Sequence, residues 1–248
     1  MVDVSRVPDG RTIVGSPNLS SVMKSFFGSV VLSGLDGSEE RRSEILIKAT
    51  SISLSPDRSR FAFIGTWLGD RSPRAKLALS KFAGNEVEML AVASLSEPGA
   101  PFGARAADVD WSPDGRTLLF SDGGKIFTID VQSREQRFIT EGGRARWSPS
   151  GAQVSLLSAR NEPSVLTVAT GQLEVVDPGK RSNRPVEWSP DGRYLLIAEA
   201  DGSHVPYGCL WVYQLAKKRW MAIPSYGIGG IAPQWIQLSD DARSKTKQ

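Results

Sequence analysis

Trp111-Ser-Pro-Asp-Gly-Arg-Thr-Leu-Leu-Phe120 decides how this chain is read, because its first half is written more than once. It returns as Trp188-Ser-Pro-Asp-Gly-Arg193 and, with one change, as Trp147-Ser-Pro-Ser-Gly151. Weaker copies are Leu54-Ser-Pro-Asp57 and Arg6-Val-Pro-Asp-Gly-Arg11, and Pro233-Gln-Trp235 reads as a last anchor whose turn has decayed to Ser239-Asp-Asp241. Marked at the Trp position, the copies stand at 6, 54, 111, 147, 188 and 235, on average about 46 residues apart. That is close to the ~40–45 residues of a four-stranded propeller blade.

The motif has a mechanical meaning. Pro presets φ at the second position of a turn, Asp hydrogen-bonds to its own backbone, and Gly is free to take a positive φ. Such a turn joins two antiparallel strands. The segments after it are apolar at consecutive positions: Thr117-Leu-Leu-Phe120, Tyr194-Leu-Leu-Ile-Ala198, Phe61-Ala-Phe-Ile64 and Arg11-Thr-Ile-Val14. A strand apolar on both faces is covered on both faces, as a middle strand is when its blade is stacked between two others. The Trp before each turn is then a core anchor. Further strands follow at Lys125–Asp130, Gln136–Ile139, Ser164–Val168, Leu173–Val176, Leu210–Tyr213 and Trp220–Ile223. No segment keeps a 3.6-residue period, so the chain reads as all-β.

The composition agrees and narrows the function. With 248 residues, 24 Gly and 15 Pro, the chain suits a turn-rich domain. Cys209 is the only cysteine and His204 the only histidine, which leaves no internal disulfide, no thiolate metal cluster and too few nitrogens for most metal sites. No apolar run approaches the ~20 residues of a membrane helix. The charge is nearly balanced, 30 Lys and Arg against 27 Asp and Glu. The densest basic groups, Glu39-Glu-Arg-Arg42 and Lys217-Lys-Arg219, are short and read as solvated faces, so no nucleic-acid partner is expected. The N-terminus carries no secretory signal, which reads as cytoplasmic; a missing leader would make the chain periplasmic.

The Trp-Ser-Pro-Asp-Gly-Arg repeats resemble the WD-like propeller repeat of TolB-like proteins, from Arg6 to about Leu238. The resemblance implies one β-propeller domain over 1–238, with 239–248 as a polar tail, and implies no catalytic residue. Five four-stranded blades are expected. The first repeat starts almost at its turn and lacks an inner strand, and Ile231-Ala-Pro-Gln-Trp-Ile-Gln-Leu238 supplies one, so the C-terminal strand would close the ring. An incomplete six-bladed propeller is the alternative.

Two places can carry function. One face holds the long loops, Pro17–Lys24, Thr66–Arg74, Ser96–Ala107 and Asp201–Gly208, and with them Trp67, Arg71, Arg74, His204 and Tyr207, residue types enriched at interface hot spots. The other place is the central channel, lined by Asp108, Asp110, Arg144, Arg146, Glu187 and Gln234 at or near the anchors. The expected function is a non-catalytic module binding a protein partner through its loop face, with no cofactor. The alternatives are a small polar ligand or calcium in the channel, or a glycan hydrolase or lyase. For the last, Asp108, Asp110 and Glu187 would be carboxylates paired ~5–9.5 Å apart. The Gly-x-Ser-x-Gly elbow of a peptidase is absent.

Overall fold

The computed structural model describes residues 4–6, 12–15, 28–34, 39–71, 75–92, 108–176, 186–198 and 210–223. It is all-β, in antiparallel sheets. β8 (Val109–Trp111), β9 (Thr117–Asp122), β10 (Lys125–Asp130) and β11 (Gln136–Glu141) form one four-stranded meander. β12 (Gly143–Trp147), β13 (Gln153–Leu157), β14 (Pro163–Thr167) and β15 (Gln172–Val175) form the next. β16 (Glu187–Trp188), β17 (Tyr194–Ala198), β18 (Leu210–Gln214) and β19 (Arg219–Ile223) form a third.

The first two repeats are joined into one seven-stranded sheet. Its strands are β1 (Val4–Arg6), β2 (Thr12–Gly15), β3 (Gly28–Gly34), β4 (Glu39–Leu54), β5 (Arg60–Trp67), β6 (Lys76–Lys81) and β7 (Val87–Val92). β4 is 16 residues long and pairs twice. Its N-terminal half lies against β3, from Ser33 opposite Glu39 to Gly28 opposite Ile47. Its C-terminal half lies against β5, from Ile47 opposite Trp67 to Leu54 opposite Phe61. No Gly or Pro occurs between Ser38 and Ser55 to break the strand. One strand therefore ends the first blade and begins the second, and the described strands fit five blades of four. The first repeat differs from the sequence expectation here. Val4–Arg6 pairs with Thr12–Gly15 and fills the inner position that seemed empty. The segment 231–238 expected to fill it lies outside the described residues.

The repeated turn is built from hydrogen bonds that its sequence supplies. Ser112 Oγ donates to Asp114 Oδ1 (2.6 Å) and accepts from the Thr117 N–H (2.9 Å), while Asp114 Oδ1 also accepts from the Arg116 N–H (3.0 Å). Ser189, Asp191, Arg193 and Tyr194 repeat this set, and Ser55, Asp57, Ser59 and Arg60 repeat it again. Gly115, Gly151 and Gly192 take φ of 71°, 73° and 69°. Each lies against the turn proline of the preceding blade, Pro56, Pro113 and Pro149, so successive turns nest.

The core is a series of seams between blades, fed by alternate residues of one strand. Phe61 and Phe63 of β5 pack with Ile45, Ile47 and Ile52, whereas Ala62 and Ile64 pack with Val109, Trp111, Leu118 and Phe120. Leu119 of β9 turns the other way, onto Ala145, Val154 and Leu156. Leu157 joins Val186, Trp188, Leu195 and Ile197 in the last seam. Double-sided burial is thus what makes consecutive residues of each second strand apolar. Trp111 and Trp188 are 5% and 2% exposed, and the Arg60 guanidinium lies 4.9 Å over the Trp111 ring.

Candidate functional site

Polar side chains join the inner strands of neighbouring blades to one another. Ser51 Oγ accepts from the Val109 N–H and Ser53 Oγ from the Trp111 N–H, both at 3.1 Å. Asp110 then reaches both neighbours. Its Oδ1 accepts from Ser53 Oγ (3.4 Å) and its Oδ2 from the Trp147 N–H (2.8 Å). Between the last two described blades, Ser155 Oγ donates to the Val186 carbonyl (2.6 Å) and Trp188 Nε1 to the Arg146 carbonyl (3.3 Å). Asp110 is therefore a bridge across three blades. Loss of surrounding water pushes its carboxyl up to about 6, against the pull of Arg146 and of the Trp147 N–H.

Of the channel residues expected from sequence, the structure brings together Asp108, Asp110, Arg144, Arg146 and Glu187; Gln234 lies outside the described residues. Arg144 Nη1 is 3.4 Å from Asp108 Oδ2, Arg146 Nη2 is 3.5 Å from Asp108 Oδ1, and Arg146 Nε is 3.7 Å from Glu187 Oε1. These contacts are ionic but longer than the ~2.7–2.9 Å of charge-assisted hydrogen bonds. Asp108 is 4% exposed, yet its Oδ2 has no hydrogen bond among the described residues, and neither does Arg144 Nε.

Arg144 is held there by an irregular backbone. Gly143 faces Leu157 while Arg146 faces Ser155, so β12 carries one residue more than its partner, a bulge. Arg144 takes φ +57°, a left-handed conformation that disfavours side chains. Gly142, two residues before it, has φ +135°, and a Cβ there would sit 2.3 Å from the Leu157 carbonyl oxygen. The double glycine is what admits this bend. No described residue of β8 or β16 shows a positive φ.

The loop face is described in part. Trp67 is half-buried and meets Phe63 edge-on, with centroids 6.1 Å apart; the Lys76 ammonium lies 4.9 Å over its ring. Lys76 Nζ also contacts Asp70 Oδ1 at 2.5 Å, and both side chains are largely buried. Trp67 is thus a root of its loop rather than a free aromatic. Leu68, at 63% exposed, and Arg71 stand out from that root. Arg74, His204 and Tyr207 lie outside the described residues, as do the expected loops 17–24, 96–107 and 201–208. Sequence reasoning did not single out Leu68, since one apolar residue in a loop carries no pattern. Among the described residues no cluster of three His, Cys, Asp or Glu side chains is placed to hold a metal, and no helix is long and apolar enough to cross a membrane.

No family model matches the chain. Its structure is similar to that of TolB from Acinetobacter baumannii, with a TM-score of 0.67 at 16% identity over 90% of this chain and 54% of that one. The chain therefore spans about half the length of that protein. A putative TolB from Agrobacterium tumefaciens gives a TM-score of 0.63 at 15% identity, over 88% of this chain and 78% of that one. The Cps50 (Swd1) β-propeller domain of Myceliophteria thermophila gives 0.57 at 16% identity, over 91% and 72%. Identities this low speak for the fold alone. Together with the stacked four-stranded sheets, they establish that the chain is a β-propeller of the kind seen in TolB-like and WD-like repeat proteins.

Proposed function

We propose that the chain is a non-catalytic interaction module whose loop-bearing face binds a protein partner. The observation that carries this reading is the anchoring of the segment 67–71. Trp67, packed on Phe63, and the Asp70–Lys76 ion pair fix its base, while Leu68 and Arg71 remain exposed. An exposed apolar residue and an arginine on a rigid base lose little entropy when a partner covers them. The carboxylates that would serve a hydrolase each have partners: Asp110 has Ser53 and Trp147, Asp108 has two arginines and Glu187 has Arg146.

The test is affinity capture from the native host with wild type and with a Leu68→Glu, Arg71→Glu double variant, which spares the root. Loss of a partner that the wild type retains supports the reading; retention by both refutes it. A second reading has one observation in its favour. The bulged, left-handed Arg144, whose buried Nε has no hydrogen-bond partner among the described residues, fits a small polar ligand in the channel. Ligand-dependent melting that is lost in Arg144→Lys would favour it over the loop face.

A further inference from the structure

The third, fourth and fifth blades (β8–β11, β12–β15 and β16–β19) repeat one meander, so equivalent positions can be compared at successive seams. Four residues beyond the end of β10, β14 and β18, at the outer rim, stand Arg134, Gly171 and Lys218, with φ of +64°, +68° and +47°. Arg134 reaches back to the preceding blade, where it donates to the Glu88 carboxylate and to the Met89 carbonyl (2.8 Å). Lys218 reaches back in the same way to Glu174 (2.7 Å). Glu88 stands opposite Leu79 and Glu174 opposite Val165. Leu79 and Val165 pair in turn with Ala62 and Ser155, each eight residues past its anchor, Leu54 or Trp147. Counted likewise from Trp111 through Leu119 and Thr128, the matching residue of β11 is Arg137, which pairs with Glu135 of its own blade. At the seam between the third and fourth blades both halves of the rim clasp have therefore changed, the carboxylate to a cation and the cation to a glycine. A Cβ on Gly171 would meet nothing within 4 Å.

The rest of this seam departs from the repeat as well. Its turn has Ser150 where the other described turns have Asp, and Ser148 Oγ lies 3.2 Å from Ser150 Oγ against 2.6 Å for the Ser–Asp pairs. Its buried filling is aliphatic: Leu119, Ile126, Ala145, Val154, Leu156 and Leu166. The seams on either side bury Trp111 and Phe120, or Trp188 and Tyr213, whereas Trp147 is only partly buried. Leu173 and Val175 of β15 share the face of Leu166 and point to this seam, yet they are 40% and 47% exposed. The channel side is tied by contrast, through Asp110 to the Trp147 N–H and through Asp108 to Arg144 and Arg146.

We propose that this seam is a hinge, at which the fourth blade opens from the third at the rim and pivots on the channel cluster. An exposed ion pair is worth little alone. Here the missing clasp coincides with a purely aliphatic filling and an uncovered outer strand. The rim of this seam has little to lose on parting, while the inner edge keeps its hydrogen bonds and ion pairs.

Native-state thiol labelling of the full chain tests this, in a Cys209→Ser background. Val165 and Leu166 are neighbours on β14, both buried, and they face opposite seams, Val165 the fifth blade and Leu166 the third. Unfolding of the blade uncovers both, whereas opening of the hinge uncovers Leu166 alone. Leu166→Cys should therefore react with N-ethylmaleimide about tenfold or more faster than Val165→Cys, each rate taken relative to the urea-unfolded chain. Adding Arg137→Glu with Gly171→Lys rebuilds the clasp and should slow Leu166→Cys alone, by about two- to fivefold, the worth of one exposed ion pair. If either cysteine prevents folding, Leu119→Cys against Leu118→Cys on β9 poses the same comparison, since Leu119 faces this seam and Leu118 the one before it. Equal labelling within a pair overturns the hinge, and so does a Leu166→Cys rate that the rebuilt clasp leaves unchanged.

Discussion

Replacing Asp110 by Asn should flatten the pH dependence of stability between pH 4 and 7. Asp110 joins three blades through Ser53 and the Trp147 N–H, and loss of surrounding water lifts its carboxyl from 3.8 to about 6. Between those values the folded protein holds a proton on Asp110 that the unfolded chain has released. Stability therefore falls as pH rises through this window, and the effect is complete once pH passes the folded value. At 1.36 kcal/mol per pK unit the full rise is worth about 3 kcal/mol, of which roughly 2.4 kcal/mol falls between pH 4 and pH 7.5. Asn cannot ionise, keeps an acceptor oxygen for the Trp147 N–H, and stands in for the neutral acid. Urea midpoints followed by tryptophan fluorescence at several pH values give both curves, and their difference removes every other titrating group. Asp110→Asn should lose ground to wild type at pH 4 and gain on it by pH 7.5. A constant offset between the curves would refute the reasoning.

Arg58→Gly should stabilise the chain by about 0.5–1 kcal/mol, the relief of a left-handed side chain less the added flexibility of glycine, read from the same urea midpoints. Gly142→Ala should destabilise by about 2 kcal/mol or more, because its Cβ would meet the Leu157 carbonyl at 2.3 Å and its φ is +135°. Trp111→Ala and Trp188→Ala should each cost about 3–5 kcal/mol in thermal or urea unfolding, since both rings fill a seam. Asp57, Asp114 and Asp191 are held below the ordinary carboxylate range by the hydroxyl of their own turn, Asp191 at about 2. Their contribution is complete above pH 3.8 and fades as pH falls toward 2, so Asp191→Asn should make acid unfolding shallower.

Where turn chemistry is explicit, the strands could be read from sequence. Ser-Pro-Asp-Gly brackets β9 and β17, and Gly123-Gly124, with both φ positive, bends β9 into β10. β4 was missed for the opposite reason: no Gly or Pro between Ser38 and Ser55 marks where one blade ends, and two blades share one strand. β1 is three residues long, too short to show a period. The channel cluster was legible because counting back from each anchor tryptophan lands on an inner strand. Its purpose was not. Only coordinates show that Asp110 bridges blades, or that β12 bulges at Arg144.

The most direct test of the central claim sets one face against the other. Wild type, the Leu68→Glu, Arg71→Glu variant and an Arg41→Gln, Lys81→Gln variant would be immobilised at equal density and exposed to lysate of the native host. The account predicts a partner retained by wild type and by the Arg41→Gln, Lys81→Gln variant, and lost by the loop variant. A partner lost only with the Arg41→Gln, Lys81→Gln variant, or retained by all three, would contradict it.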